Sequence, residues 1–169
     1  YTWTLQSHID HAKAVWLDYC ECKMIDTIAR EPLWRHLINY RCGTGHSVSF
    51  VGNVHEGPHA LNSRNTTRMR PGMVVTDEPG VYETDLVGIR IENELVCVHK
   101  ADNQYGTFLG FEPLMFVPIA TSPILPGVLD KDEIAWLNDY HRQVFAKLAP
   151  HLNDEERSWL AEKCAAIGC

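Results

Sequence analysis

The chain has 169 residues, 45% apolar and 22% charged, values that exclude disorder or a collagen-like fibre and allow one ordinary domain with a real core. Its formal net charge of −7 argues against a general nucleic-acid binder, whose surface is normally basic. No apolar run approaches the ~20 residues that span a bilayer, and the opening YTWTLQSHIDHAKAV has no basic stretch leading into an apolar one, so neither membrane nor secretion is expected.

The first third reads as helix. Ile9, Ala12, Val15, Trp16 and Tyr19 recur at three- and four-residue steps and predict one apolar face from His8 to Tyr19. A short helix over Lys23 to Arg30 puts Met24, Ile25 and Ile28 inward, and Glu31-Pro32 is expected to end it. Another helical turn or two is expected between Leu33 and Tyr40. The middle third reads as strands: Met73 to Thr76 after a Pro71-Gly72 turn, Gly88 to His99 as a half-buried strand or strand pair, and Phe108 to Ile119. The last third returns to helix. Asp130 with Glu133 and Asn153 with Glu156 both read as capping boxes, and Ile134, Leu137, Tyr140, Val144 and Leu148 keep helical spacing after the first. The order of helices, strands and helices around one sheet predicts an α+β fold.

The cysteines are Cys20, Cys22, Cys42, Cys97, Cys164 and Cys169, and no two form a C-x-x-C pair. Such thiols suit a reducing cytoplasm as buried or idle groups. Unusual chemistry gathers between Gly43 and Glu94, in GTGHSVSFVGNVHEGPH, PGMVVTDEPGVY and GIRIENE. His46 follows a glycine pair, His55 and His59 flank HEGPH, and Glu78 stands between a β run and Pro-Gly. Alternation along the strand puts Arg90 and Glu92 on one face, where charges are costly unless paired or bound to a cation. One imidazole with two carboxylates is a mixed-ligand set suited to Mn²⁺, with Co²⁺, Fe²⁺ or Zn²⁺ as alternatives. Blander readings stand beside it: a loop histidine at His46, a turn cap at Glu78, and an Arg90–Glu92 salt bridge.

Together GTGHSVSFVGNVHEGPH, TDEPGVY, GIRIENELV and FEPLMFVPI resemble the catalytic domain of aminopeptidase P, the Xaa-Pro aminopeptidases of the pita-bread metallopeptidase family. The resemblance runs nearly end to end, from YTWTLQSHIDHAKAV to IAWLNDYHRQV. It implies the carboxyl-terminal half of a pita-bread catalytic domain across residues 1–169, with helices on a curved, mainly antiparallel sheet. It also implies a site of two divalent ions, usually Mn²⁺, in which His46, Glu78 and Glu92 are ligands. Glu78 would then move the proton of an activated water, His55 hold substrate and tetrahedral intermediate, and Arg90 organise the carboxylates. The implied reaction releases the residue before a proline from the amino-terminus of a peptide.

The family's two aspartate ligands lie upstream of the matching segment, and Asp10, Asp18 and Asp26 fall in predicted helices. The chain alone is therefore expected to be inactive, or else to be a degenerate relative that serves as a folded binding or oligomerisation module. Cys42 stands where the family usually has histidine, and Ser47, Ser49 and Ala60 replace glycines. A half fold is expected to expose an apolar sheet face, with Val74, Ile89, Ile91 and Val96 as candidates, and so to pair with its amino-terminal half or a second copy.

Overall fold

The computed structural model describes residues 1–168; Cys169 lies outside the described residues. They divide into two compact units, one over Trp3–Leu114 and one that joins Tyr1 and Thr2 to the chain from Met115 onward.

In the first unit, helix α1 spans Thr2–Ala12 and strand β1 spans Val15–Leu17. The expected helix over His8–Tyr19 is thus replaced by an earlier helix and a strand. Ile9, Ala12 and Trp16 suit a 3.6-residue period, but the β-prone Val15-Trp16 pair finds a partner strand and alternates, Val15 exposed and Trp16 buried. Trp16 then packs on Phe111 with ring centroids 4.6 Å apart. Asp18, expected in a helix, lies in the turn after β1.

Helix α2 runs Cys22–Trp34 and passes through Pro32 rather than ending before it. The missing proline N–H falls in the last turn, and burial of Pro32 and Leu33 holds that turn against the core. The inward face is Cys22, Ile25, Asp26, Ala29 and Leu33, so Met24 points out, contrary to expectation. After Trp34 the chain leaves the helix, with Leu37 in the left-handed region at φ 58°, and the further helical turns expected up to Tyr40 do not form.

Two short strands, β2 (Gly45–His46) and β3 (Ala60–Leu61), pair antiparallel. Strand β4 (Val74–Asp77) follows a turn in which Gly72 takes φ +88°. A hairpin of β5 (Gly80–Glu83) and β6 (Val87–Arg90) comes next. Long strands β7 (Asn93–Asn103) and β8 (Gly106–Pro113) complete a four-stranded antiparallel sheet in the order β1-β8-β7-β4. The Gly88–His99 run therefore contributes to two strands that lie in different sheets and do not pair with each other, with the break at Ile91-Glu92. β8 stops at Pro113, six residues before the expected Ile119, because its partner β7 begins at Asn93 and the last bond across the pair is Leu114 N–H to the Glu94 carbonyl at 2.8 Å.

The four apolar candidates for an exposed sheet face are not exposed. Val74 lies opposite Val96 across β4 and β7, so each partly covers the other; Ile89 is half-buried and Ile91 is buried. The exposed apolar side chains lie elsewhere in this unit, including Phe50, Val51 and Val54 in one loop and Leu86 in the β5–β6 turn.

In the second unit, helix α3 (Lys131–Leu148) and helix α4 (Asp154–Lys163) both start with the expected capping boxes, Asp130 with Glu133 and Asn153 with Glu156. A short 3₁₀ turn, Ala149–His151, links them, and Tyr140, Val144, Ala149 and Leu160 form the buried cluster. The extended segment before α3 is tied to it by side chains. The Tyr140 hydroxyl accepts from the Val117 amide at 3.2 Å, and the Ile119 amide donates to His141 Nε2 at 3.0 Å. No described helix is long and apolar enough to cross a membrane.

Candidate metal centre

The loop that carries His46 is fixed from beneath by a buried polar network. Asp26 and Arg30, one turn apart on α2, pair at 2.8 Å. The Arg30 guanidinium donates onward to the carbonyls of Tyr40 and Cys42, each at 2.9 Å, so α2 holds the chain as it approaches the site. Thr44 donates its hydroxyl proton to Asp26 Oδ1, which leaves Tyr40 as the donor to Thr44 Oγ1, both at 2.5 Å. Thr44 also accepts from the Glu78 amide through its carbonyl at 2.7 Å, joining the two segments of the site by their backbones. Gly45 is required here: a Cβ at that position would stand 1.8 Å from the Thr76 carbonyl oxygen.

Those anchors bring His46 Nε2 to 3.1 Å from Glu78 Oε1. His46 Nδ1 lies 3.0 Å from the Ser47 carbonyl, which can only accept, so Nδ1 carries a proton and Nε2 is the nitrogen turned to the Glu78 carboxylate. Glu78 is held on its other side, where Arg90 Nη1 donates to Oε2 at 2.5 Å and also to the Glu78 carbonyl. Burial works against the Arg90 cation, but the Tyr82 hydroxyl at 2.8 Å and the Glu78 carboxylate more than offset it and raise its pKa. His55, itself exposed, packs edge-on against His46 with ring centroids 3.9 Å apart. Cys42, His46, His55, Glu78 and Arg90 line one cavity of about 320 Å³.

Glu92 is placed differently from its expected position beside Arg90. It falls in the break between β6 and β7, exposed and outside either strand. Its carboxyl pKa is raised, first by burial of the group and then by the negative charge of Glu78. Among the described residues no group of three or more His, Cys, Asp or Glu side chains is arranged to hold a metal ion; of the three expected ligands, His46 and Glu78 stand at chelating separation and Glu92 does not join them. His59 is buried with its Nε2 2.8 Å from the Val74 carbonyl, a tie between the loop and β4. The Cys42 thiol faces the Gly80 carbonyl at 3.6 Å and Arg90 Nη2 at 4.0 Å. Cys20, Cys22, Cys42, Cys97 and Cys164 are all free, and burial pushes the Cys22 and Cys97 thiols up to about 11.

A histidine beside a carboxylate that an arginine holds does not name a family by itself, and comparison with known proteins does. Residues 1–99 match the model of metallopeptidase family M24, and residues 107–167 match that of the C-terminal region of peptidase M24. The chain belongs to metallopeptidase family M24.

Aminopeptidase P1 of Lotus japonicus is 38% identical over 99% of this M24 chain, and aminopeptidase P2 of Arabidopsis thaliana is 42% identical over 95% of it. The crystal structure of an X-prolyl aminopeptidase from Caenorhabditis elegans, described as a cytosolic enzyme with a di-nuclear active site, superimposes with a TM-score of 0.91 at 38% identity. That match covers 98% of this chain and 28% of the other. A prolidase from Pyrococcus furiosus is more distant, with a TM-score of 0.56 at 27% identity over 68% of this chain and 31% of the other. The chain spans 26% and 23% of the length of the two plant relatives. The resemblance to aminopeptidase P and the α+β pita-bread fold both hold.

Sequence reading of the M24 chain missed the residues behind the site. Thr44 and Thr76 carry hydrogen bonds to it, yet a threonine in a β run signals only β propensity. It also missed a fully buried cluster in which Asp77 Oδ2 and Oδ1 lie 3.1 Å from His8 Nδ1 and 3.0 Å from His11 Nδ1. Two histidines three apart on one helix face were the available signal for that cluster.

Proposed function

We propose that this chain supplies one wall of a divalent-metal peptidase site, with His46, Glu78 and Glu92 as ligands. The substrates would be peptides with proline at the second position, as the names of the relatives suggest. The observation that carries the reading is the 3.1 Å approach of His46 Nε2 to Glu78 Oε1 on the wall of one cavity. Two electron-rich atoms at that distance need a proton or a cation between them. Adjacent ligands on an octahedral ion with bonds of about 2.1 Å stand about 3 Å apart, so the pair fits such an ion. Its imidazole–carboxylate chemistry suits Mn²⁺, with Co²⁺ or Zn²⁺ as alternatives. Glu92 is the third ligand in this reading, since a cation beside it would relieve the repulsion from Glu78.

When bound, a divalent ion acidifies water and polarises a carbonyl. Glu78 is placed to take the proton of that water and return it to the leaving amine, while Arg90 keeps its carboxylate oriented. His55, exposed and stacked edge-on against His46, donates to the substrate carbonyl oxygen. The described aspartates nearest these elements are already engaged, Asp26 by Arg30 and Thr44 and Asp77 by His8 and His11. A second ion would therefore draw ligands from outside these 169 residues, supplied by an amino-terminal half or a second copy. We assign the protein to the cytoplasm by analogy with the cytosolic Caenorhabditis elegans enzyme.

The test is metal content and Xaa-Pro hydrolysis of the purified chain. Metal uptake with hydrolysis far below that of a complete family enzyme is expected. Full turnover by the chain alone would refute the shared-site arrangement, and failure to take up any divalent metal would favour a folded binding module without catalysis.

A further inference from the structure

We infer that Thr76 is a positioning residue of this metal centre, its hydroxyl setting the separation of His46 and Glu78. The inference rests on the reading of those two residues as ligands. Thr76 lies on β4 and is buried, two residues before Glu78. Its Oγ1 accepts the His46 amide proton at 3.0 Å and donates to Glu78 Oε1 at 3.0 Å. The direction of both bonds is fixed by chemistry, since an amide N–H can only donate and a carboxylate can only accept. One hydroxyl therefore ties the backbone of the first ligand to the carboxylate of the second.

The approach of the two segments explains why this position bears the task. Ser47 bridges to Val75 beside it, and Gly45 lies directly against the Thr76 carbonyl, where any side chain would collide. His46 N–H is thereby delivered to the Thr76 side chain. On the Glu78 carboxylate, Arg90 engages Oε2 and Thr76 engages Oε1, so both oxygens are oriented and the His46-facing one has a fixed direction. Valine has the shape of threonine but offers neither an acceptor nor a donor. Serine offers both.

Co²⁺ alone, added to the full 169-residue chain and followed by visible absorption, reads the ligand geometry without turnover. Thr76→Val is expected to weaken Co²⁺ binding about ten- to hundredfold, the usual cost of losing a group that orients a ligand, whereas Thr76→Ser stays within about threefold of the parent. Amide hydrogen exchange at His46 should be faster in Thr76→Val and close to the parent in Thr76→Ser. Thr76→Ala serves as a second hydroxyl-free variant if the valine form does not fold. Parental Co²⁺ affinity in a folded hydroxyl-free variant would overturn the positioning role and leave the metal reading standing. No Co²⁺ uptake by the parent chain would overturn the metal reading and this inference with it. Unchanged His46 exchange in the folded variants would overturn the claim that Thr76 anchors that ligand.

Discussion

Asp77 and Glu78 are neighbours in the chain, and each carboxylate meets imidazole at about 3 Å, but they sit in different surroundings. Asp77 turns toward α1, where it and both its histidines are 0% exposed. These contacts are at ion-pair distance without in-line hydrogen bonds. Glu78 turns toward a cavity, its side chain 17% exposed and that of His46 19%. The same pair of functional groups is closed to any ligand in the first case and open to one in the second. Access, rather than residue type, separates the brace from the site.

The largest expected effect breaks the closed cluster. Asp77→Ala leaves two buried imidazoles without their carboxylate and should cost about 2–6 kcal/mol, about 1–3 for each imidazole that loses this partner. Urea unfolding checks it, and a loss below about 1 kcal/mol would place the cluster among surface-like pairs. Next comes the network beneath the open site. Thr44→Val removes the hydroxyl between Asp26 and Tyr40 and should cost about 1–3 kcal/mol, with a lower denaturation midpoint at an unchanged slope.

Glu78→Gln should be milder for stability, about 1–2 kcal/mol, because glutamine keeps an oxygen of similar reach for Thr76 or Arg90. Its main consequence should be chemical: in a complemented, active enzyme, kcat falls more than substrate affinity does. Unchanged kcat at full metal occupancy would remove Glu78 from the proton transfer. Together these three variants sharpen the contrast, since the closed carboxylate should dominate stability and the open one function.

The smallest effect concerns a histidine in the other unit. Burial lowers the His141 pKa below its ordinary value of about 6.5, and its Nε2 lone pair must stay free to accept from Ile119. The unfolded chain therefore takes the proton first, and stability should fall as pH drops below about 6.5 toward the lower folded value. Above about pH 7.5 both states are neutral and the contribution is flat. In His141→Gln, where an amide oxygen can accept the same bond, this share of the acid slope should vanish from melting temperatures compared at about pH 7.5 and 5.5. Parallel slopes would contradict the assignment.

Much of this was legible in the sequence because it rests on local signals. Both capping boxes formed where Asp130–Glu133 and Asn153–Glu156 predict them, since a cap depends on residues three apart. His46, Glu78, Arg90 and His55 were identified from their motifs, and the structure brings them to one cavity. What escaped depends on distant partners. Val15–Leu17 became a strand because β8 was there to pair with it, and α2 continued through Pro32 because the core held its last turn. Arg90 and Glu92 were expected on one strand face, but the chain changes sheets between them. Thr44, Thr76 and the His8–Asp77–His11 cluster act only through contacts between segments, which no spacing rule reports.

The central claim is that His46 and Glu78, with Glu92, take up a divalent ion. Titration of Mn²⁺ into the chain, with free Mn²⁺ followed by electron paramagnetic resonance, tests it most directly. The exposed His99–Asp102 pair, at 2.9 Å, provides a control outside the cavity. The account predicts saturable uptake of a single ion, lost in His46→Ala, weakened in Glu78→Gln and retained in His99→Ala. A free Mn²⁺ signal that rises in full from the first addition, or uptake unchanged in His46→Ala, would contradict it.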